Sequence, residues 1–383
     1  MTKSSQALLL TAVSFGALSA AGGAARAQFK QTDLVSDISG LAEVTDSNLK
    51  NSWGLSHLPG SPFWVSNQGT NTATLYSVTG ATASKVPLTV AIPTTVPPVE
   101  GPTGQVANPG AGFDVTGTGK SALFIFANLN GSISAWNQSA GTTAVTERTI
   151  PGASYTGLAI NAGGTMLYAA NAAAGKIDVF SSSFAPATVA GSFVDPDLPS
   201  GYVPFNVEDM SGKVYVTYAL AGHPAETNAT AGEGAVAVFD ESGNFEQQLV
   251  GVSKSGELAS PWGMAIAPAG FGPFGGDLLV GNFSDLDSGI EAFNPTNGMF
   301  EGMISVDPGA GDSAGGLWSL AFGGGPEDGS PNVLYFTDGI NGEKDGLFAA
   351  LTVPEPSTWA MMLLGFGGLA LLAARRRRAA SAI

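Results

Sequence analysis

The chain has 383 residues, 44% of them hydrophobic and only 12% charged, with 53 glycines and no cysteine. That excludes a disulfide-stapled mini-domain, a thiolate metal site and a cysteine nucleophile; the length allows one large domain or two ordinary ones. Nine of the 15 basic and 30 of the 31 acidic residues fall within 28–352, a net charge of about −21 that repels nucleic acid. The only histidines, His57 and His223, argue against a multi-histidine metal site or a hydrolytic triad.

Taken in chain order, the sequence opens "MTKSSQALLLTAVSFGALSAAGGAARAQFK". Lys3 is basic, residues 7–21 are mostly apolar, and Ala25 and Ala27 place small residues on either side of Arg26. This pattern predicts a secretory signal peptide over residues 1–27, cut after Ala27.

Residues 28–352 contain a repeat. One unit reads "TGLAINAGGTMLYAANAAAGKIDVFSSS", and related units begin at Trp53, Gly112, Pro204, Trp262 and Leu317. Each holds three short β-branched or aromatic runs separated by Gly, Asn, Asp and Ser. A weaker fourth run follows in five of them, among them "ATASKVPLTVAI", "ATVAGSFVD" and "GMFEGMISVD". Six four-stranded units predict an all-β fold, a six-bladed β-propeller over residues 28–352. The last unit lacks its fourth run, so residues 31–38 near the mature N-terminus are expected to supply it and close the ring. The repeat resembles NHL-like propellers, and more narrowly an uncharacterised bacterial propeller family; that resemblance implies a fold and no established activity.

In such blades the turns between second and third strands share a face with the blade-to-blade connections. Residues 92–112 and 221–234 read as long loops on that face, where binding residues gather. Asn67, Asn128, Asn171, Asn282 and Asp338 end the second runs of five units there. Their oxygens would suit a cation or a sugar, or would tie down their own hairpins as Asx turns. "SDLDSGIE" (284–291) and "DGINGEKDG" (338–346) crowd carboxylates with glycines, so Ca²⁺ is the cofactor they would take. Neither fits an EF-hand, because Thr296 stands eleven residues after Asp285.

Residues 353–383 form a separate unit. An uncharged run over 359–374 is about 24 Å long as a helix, and four arginines follow at 375–378. This predicts a C-terminal transmembrane helix with the arginines cytoplasmic and the propeller outside. With Pro354, Glu355 and Pro356 ahead of it, the segment resembles the PEP-CTERM sorting signal. That resemblance implies an exosortase partner, which recognises the Pro-Glu-Pro and removes the helix. The chain would cross the inner membrane, be held transiently by its C-terminus, and then reside at the cell surface or outside.

Two functions follow as expectations. The first is a binding or structural protein of the cell surface or extracellular polysaccharide, with a ligand-binding rim on one face. The second is a metal-dependent hydrolase of a sugar-derived lactone or ester, similar to propeller lactonases. The second requires carboxylate or amide oxygens to converge on one point above the channel. No catalytic residue is assigned from the sequence.

Overall fold

The computed structural model describes residues 29–80, 82–94, 101–309, 311–313 and 315–353. Ala25, Ala27, Pro354, Glu355, Pro356 and the uncharged run at 359–374 lie outside the described residues. Among those described, no helix is long and apolar enough to cross a membrane.

Six sheets, antiparallel but for one short parallel pair in the last, follow one another along the chain as the blades of a propeller. Blade 1 is Ser52–Ser56, Phe63–Asn67, Thr72–Thr79 and Thr82–Ala91. Blade 2 is Pro102–Ala107, Phe124–Asn128, Ser132–Trp136 and Val145–Thr149. Blade 3 has three strands, Tyr155–Ile160, Met166–Asn171 and Lys176–Ser181. Blade 4 is Tyr202–Met210, Lys213–Leu220, Ala235–Asp240 and Phe245–Val250. Blade 5 is Pro261–Ile266, Leu278–Asn282, Gly289–Phe293 and Phe300–Ile304. Blade 6 is Leu317–Phe322, Leu334–Asp338, Leu347–Thr352 and, as its fourth strand, the N-terminal Lys30–Ser36, with the two-residue Val44–Thr45 added parallel at its edge.

Burial explains the residue types. Second strands lie inside their blades with both faces covered, and four are buried at every residue, Phe63–Asn67, Phe124–Asn128, Leu278–Asn282 and Leu334–Asp338. They therefore read as continuous apolar runs. Outer strands such as Val145–Thr149 face solvent and are far more polar. Lys30–Ser36 pairs antiparallel with Leu347–Thr352, with Lys30 opposite Thr352 and Ser36 opposite Leu347, so the two chain ends close the ring together. We call the end of the ring where second strands finish the upper face, and the other the lower face.

Two local expectations are corrected. The innermost strand of blade 2 is Pro102–Ala107 and not the segment beginning at Gly112; Asp114–Val115 instead pairs with Lys120–Ser121 in a small hairpin. "PTGQVA" was hidden because Val106 is its one large apolar residue, whereas "YTGLAI" of blade 3, with the same Thr-Gly pair, carries Tyr155, Leu158 and Ile160. Asn108 therefore follows that strand on the lower face, donating to the carbonyls of Gly112 and Ala122. Blade 3 has no fourth strand: Pro186 cannot donate to a ladder, and Phe193 leaves to pack on Tyr168 and Phe239.

Candidate functional site

In all six blades the pairing of first and second strands skips near the upper face. The residues at these bulges are Trp53, Thr103, Thr156, Phe205, Trp262 and Trp318. Bulges re-aim side chains, and here they sit at the ring's centre. Each is followed by a small or amide residue, namely Gly54, Gly104, Gly157, Asn206, Gly263 and Ser319. A Cβ on Gly54 would meet the Thr103 carbonyl oxygen at 2.5 Å, and one on Gly263 the Trp318 carbonyl oxygen at 2.1 Å. Adjacent first strands therefore approach backbone to backbone. Thr103 Oγ1 donates to Tyr155 O (2.7 Å), Asn206 Nδ2 to Trp262 O (3.0 Å), and Leu55 N to Ser319 Oγ (3.0 Å).

The aromatic side chains from this ring plug the channel. Trp53 stacks on Trp318 with centroids 3.5 Å apart, and Trp262 meets both edge-on. Trp262 Nε1 donates across the axis from blade 5 to Thr156 O in blade 3, at 3.0 Å. Phe283 covers Trp318 at 4.3 Å, and Phe205 joins the same cluster.

Above the plug lies a cavity of 660 Å³. Trp53, Trp318, Phe205 and Thr156 form its floor; Asn51, Gln68, Leu129, Ala172, Ala173, His223, Glu226 and Glu343 form its rim. A polar relay runs along one side. Trp318 Nε1 donates to Asn51 Oδ1, and Asn51 Nδ2 donates to Gln68 Oε1 and Glu343 Oε1, each at 3.0 Å. Glu343 Oε2 lies 3.0 Å from His223 Nε2, and Glu226 Oε2 lies 3.8 Å from His223 Nδ1. Glu226 and Glu343 together push the His223 pKa up to about 10, so the imidazole is a cation at neutral pH. Ser284 Oγ, from blade 5, holds the short helix His223–Thr227 by donating to Thr227 O and Ala229 O. One donor on the floor is unmatched: Trp53 Nε1 is buried with no hydrogen-bond partner among the described residues.

Asn67, Asn128, Asn171, Asn282 and Asp338 all finish their strands on this face, fully or almost fully buried. None is among the cavity-lining residues. Asn67 donates to Thr74 Oγ1 (2.9 Å) and Asn128 to Ser132 O (3.1 Å). Asn171 accepts from Ser154 N, and Asn282 bonds both Ala259 N and Glu257 O. Burial, then Asp285, pushes the Asp338 pKa well up, and its Oδ1 has no partner among the described residues. The next residue along reaches the cavity in three blades: Gln68, Leu129 and Ala172. In the second glycine-rich acidic loop (338–346), Glu343 is bound to His223, while Asp345 meets Lys50 at 3.4 Å. Among the described residues no three His, Asp or Glu side chains gather as a metal site would require.

Both histidines have carboxylate partners that the sequence did not reveal. His57 lies on the lower face, its Nδ1 2.6 Å from buried Asp328 of blade 6 and its Nε2 3.1 Å from Phe322 O. It fastens blade 6 to blade 1, far from the cavity. The residues missed at the cavity are Trp53, Phe205, Trp318, Glu226 and Glu343. A signal for the floor was present: an aromatic or threonine followed by a small or amide residue at the start of every first strand.

Comparison with known proteins settles the end of the chain. The PEP-CTERM protein-sorting motif matches residues 352–378. The chain carries a PEP-CTERM sorting motif. It is therefore an exported protein sorted by an exosortase, with a propeller ahead of the PEP-CTERM segment. Two uncharacterised proteins of Acanthamoeba polyphaga mimivirus are each 29% identical to this PEP-CTERM protein. One matches over 331 residues (83% of this chain, 78% of its own) and the other over 341 (85% and 86%). A solved structure of unknown function from Bacteroides thetaiotaomicron shares the fold with a TM-score of 0.50 at 9% identity, covering 84% of this chain and 76% of its own.

Proposed function

We propose that this is a secreted, NHL-like propeller that binds a saccharide unit of an extracellular polymer in its upper-face cavity. The signal peptide is removed after Ala27, and exosortase acts at Pro354, Glu355 and Pro356. The observation that carries the reading is the cavity itself. Its floor is indole and phenyl with one threonine, its rim mixes amide, carboxylate and imidazolium with Leu129, Ala172 and Ala173, and Trp53 Nε1 is a buried donor without an acceptor among the described residues. A pyranose offers the complement: an apolar C–H face for the rings and hydroxyls that both donate and accept. A hydroxyl oxygen reaching Trp53 Nε1 would relieve a cost of about 1–3 kcal/mol. The volume lies within the range usual for small-ligand sites.

The hydrolase reading has less support. It calls for converging metal ligands or a base poised near neutral pH, whereas the rim carboxylates are engaged and His223 is held protonated.

Isothermal titration of the purified protein against maltose, cellobiose and lactose at millimolar concentration tests the proposal. Heat of binding is expected for at least one, weakened about tenfold or more in Trp53→Ala and Gln68→Ala. Absence of heat with all three, or binding indifferent to both substitutions, contradicts it.

A further inference from the structure

Both described chain ends lie on the face opposite the cavity. Leu347–Thr352 runs from the upper to the lower face, and Lys30 pairs with Thr352 at its lower end. Phe29 and Val353 then pack on the lower loop of blade 5: Phe29 meets Phe271 at 5.0 Å and stacks on Phe274, and Val353 fills the space beside Gly272. Only residues 354–358 separate Val353 from the uncharged run at 359–374. Five extended residues span at most about 18 Å. With that run in a bilayer, the lower face cannot stand far from the lipid.

The exposed apolar side chains point the same way. Among the described residues six large apolar side chains are exposed, and five belong to blade 5: Ile266, Met299 and Phe300 lie at its lower edge, while Met303 stands toward the upper end of its outer strand and Leu286 in its upper-face loop. Ile266 and Phe300 mark the two ends of one paired row, Ile266–Leu278–Phe293–Phe300, at the lower edge of that blade. Met299 adjoins Phe300 and is 57% exposed. Gly302, beside Phe300, packs on Phe274, which carries Phe29. The patch thus adjoins the point where the chain leaves for the membrane.

We propose that, before processing, the propeller rests on the bilayer through the lower edge of blade 5, with its cavity facing away from the membrane. Met299 and Phe300 enter the headgroup boundary, as apolar side chains of interfacial elements do. Asp277 and Glu301 flank the row, so zwitterionic lipid is the surface it suits. The proposal rests on the reading of 359–374 as the membrane segment.

The absence of cysteine makes the test clean. Full-length Phe300→Cys and Ala173→Cys variants, the second at the cavity rim, are labelled with nitrobenzoxadiazole. They are then reconstituted in phosphatidylcholine vesicles containing doxyl-labelled lipid. The expected result is co-flotation of both variants, with quenching at position 300 several-fold greater than at 173. Co-flotation with stronger quenching at 173 overturns the orientation. Co-flotation with quenching at neither position overturns the lipid contact and leaves the patch to a protein such as the exosortase. Failure to float overturns the membrane-segment reading, and this proposal with it.

Discussion

His223 and Trp53 define the cavity in opposite ways, one over-satisfied and one unsatisfied. His223 lies between Glu226 and Glu343, which raise its pKa to about 10. In the unfolded chain it titrates near its ordinary value of 6.5, so the folded protein keeps a proton that the unfolded one has lost. The bridge's contribution to stability is full below pH 6.5 and is lost as pH rises through about 10. Histidine resonances followed by NMR should therefore show His223 unmoved from pH 6 to 8, with its transition near pH 10. A midpoint near 6.5 would refute the bridge. Little of this was legible in the sequence, because Glu343 stands 120 residues from His223 and only ring closure brings them together. The asparagines were legible as upper-face residues, yet it is often the residue after each that reaches the cavity. Asn67 and Asn128 hold their own hairpins, while Asn171 and Asn282 also tie down the segment that enters the blade.

At the level of the element, the bulged first strands make the ring. Gly263→Ala would push a methyl group against Trp318 O, where the native gap admits a Cβ only at 2.1 Å. We expect a loss of about 1–3 kcal/mol, read as a melting temperature several degrees lower; an unchanged melt would contradict the close approach. Removal of residues 28–36 should cost more, since the third strand of blade 6 would lose its partner and the ring would open. Blade 5 adds a pH dependence. Glu291 is 3% exposed, and burial, with Asp287 and Glu257, raises its pKa to about 8. The unfolded carboxyl ionises near 4.5, so this group favours the folded state fully below pH 4.5 and loses that effect as pH rises through 8. The melting temperature should fall between pH 5 and 8.5, and fall less in Glu291→Gln. Strand order, closure and sixfold count were readable because buried second strands leave continuous apolar runs. The blade 2 inner strand and the blade 3 edge were not, since Thr-Gly and Pro-Ala signals are weak without their neighbours.

For the whole molecule, topology separates two tasks. The sorting segment leaves from the lower face, while the cavity opens on the upper. The Trp262 plug, bonded across the axis to Thr156, keeps the two faces from communicating through the channel. A ligand in the cavity would therefore meet the outside medium both before and after processing. The sequence made the address plain, because a sorting signal is local and linear. It hid the site, because the floor draws single residues from four blades and the rim from five.

The central claim is that the cavity takes a saccharide and that Trp53 Nε1 is one of its donors. Proton–nitrogen NMR of the indole groups tests this most directly, with the Trp53 signal assigned by its disappearance in Trp53→Phe. On titration with the disaccharide that gives heat, the Trp53 indole resonance should shift in step with binding, while the Trp262 resonance, already bonded to Thr156, should stay nearly still. Saccharide binding that leaves the Trp53 resonance in place would contradict the account.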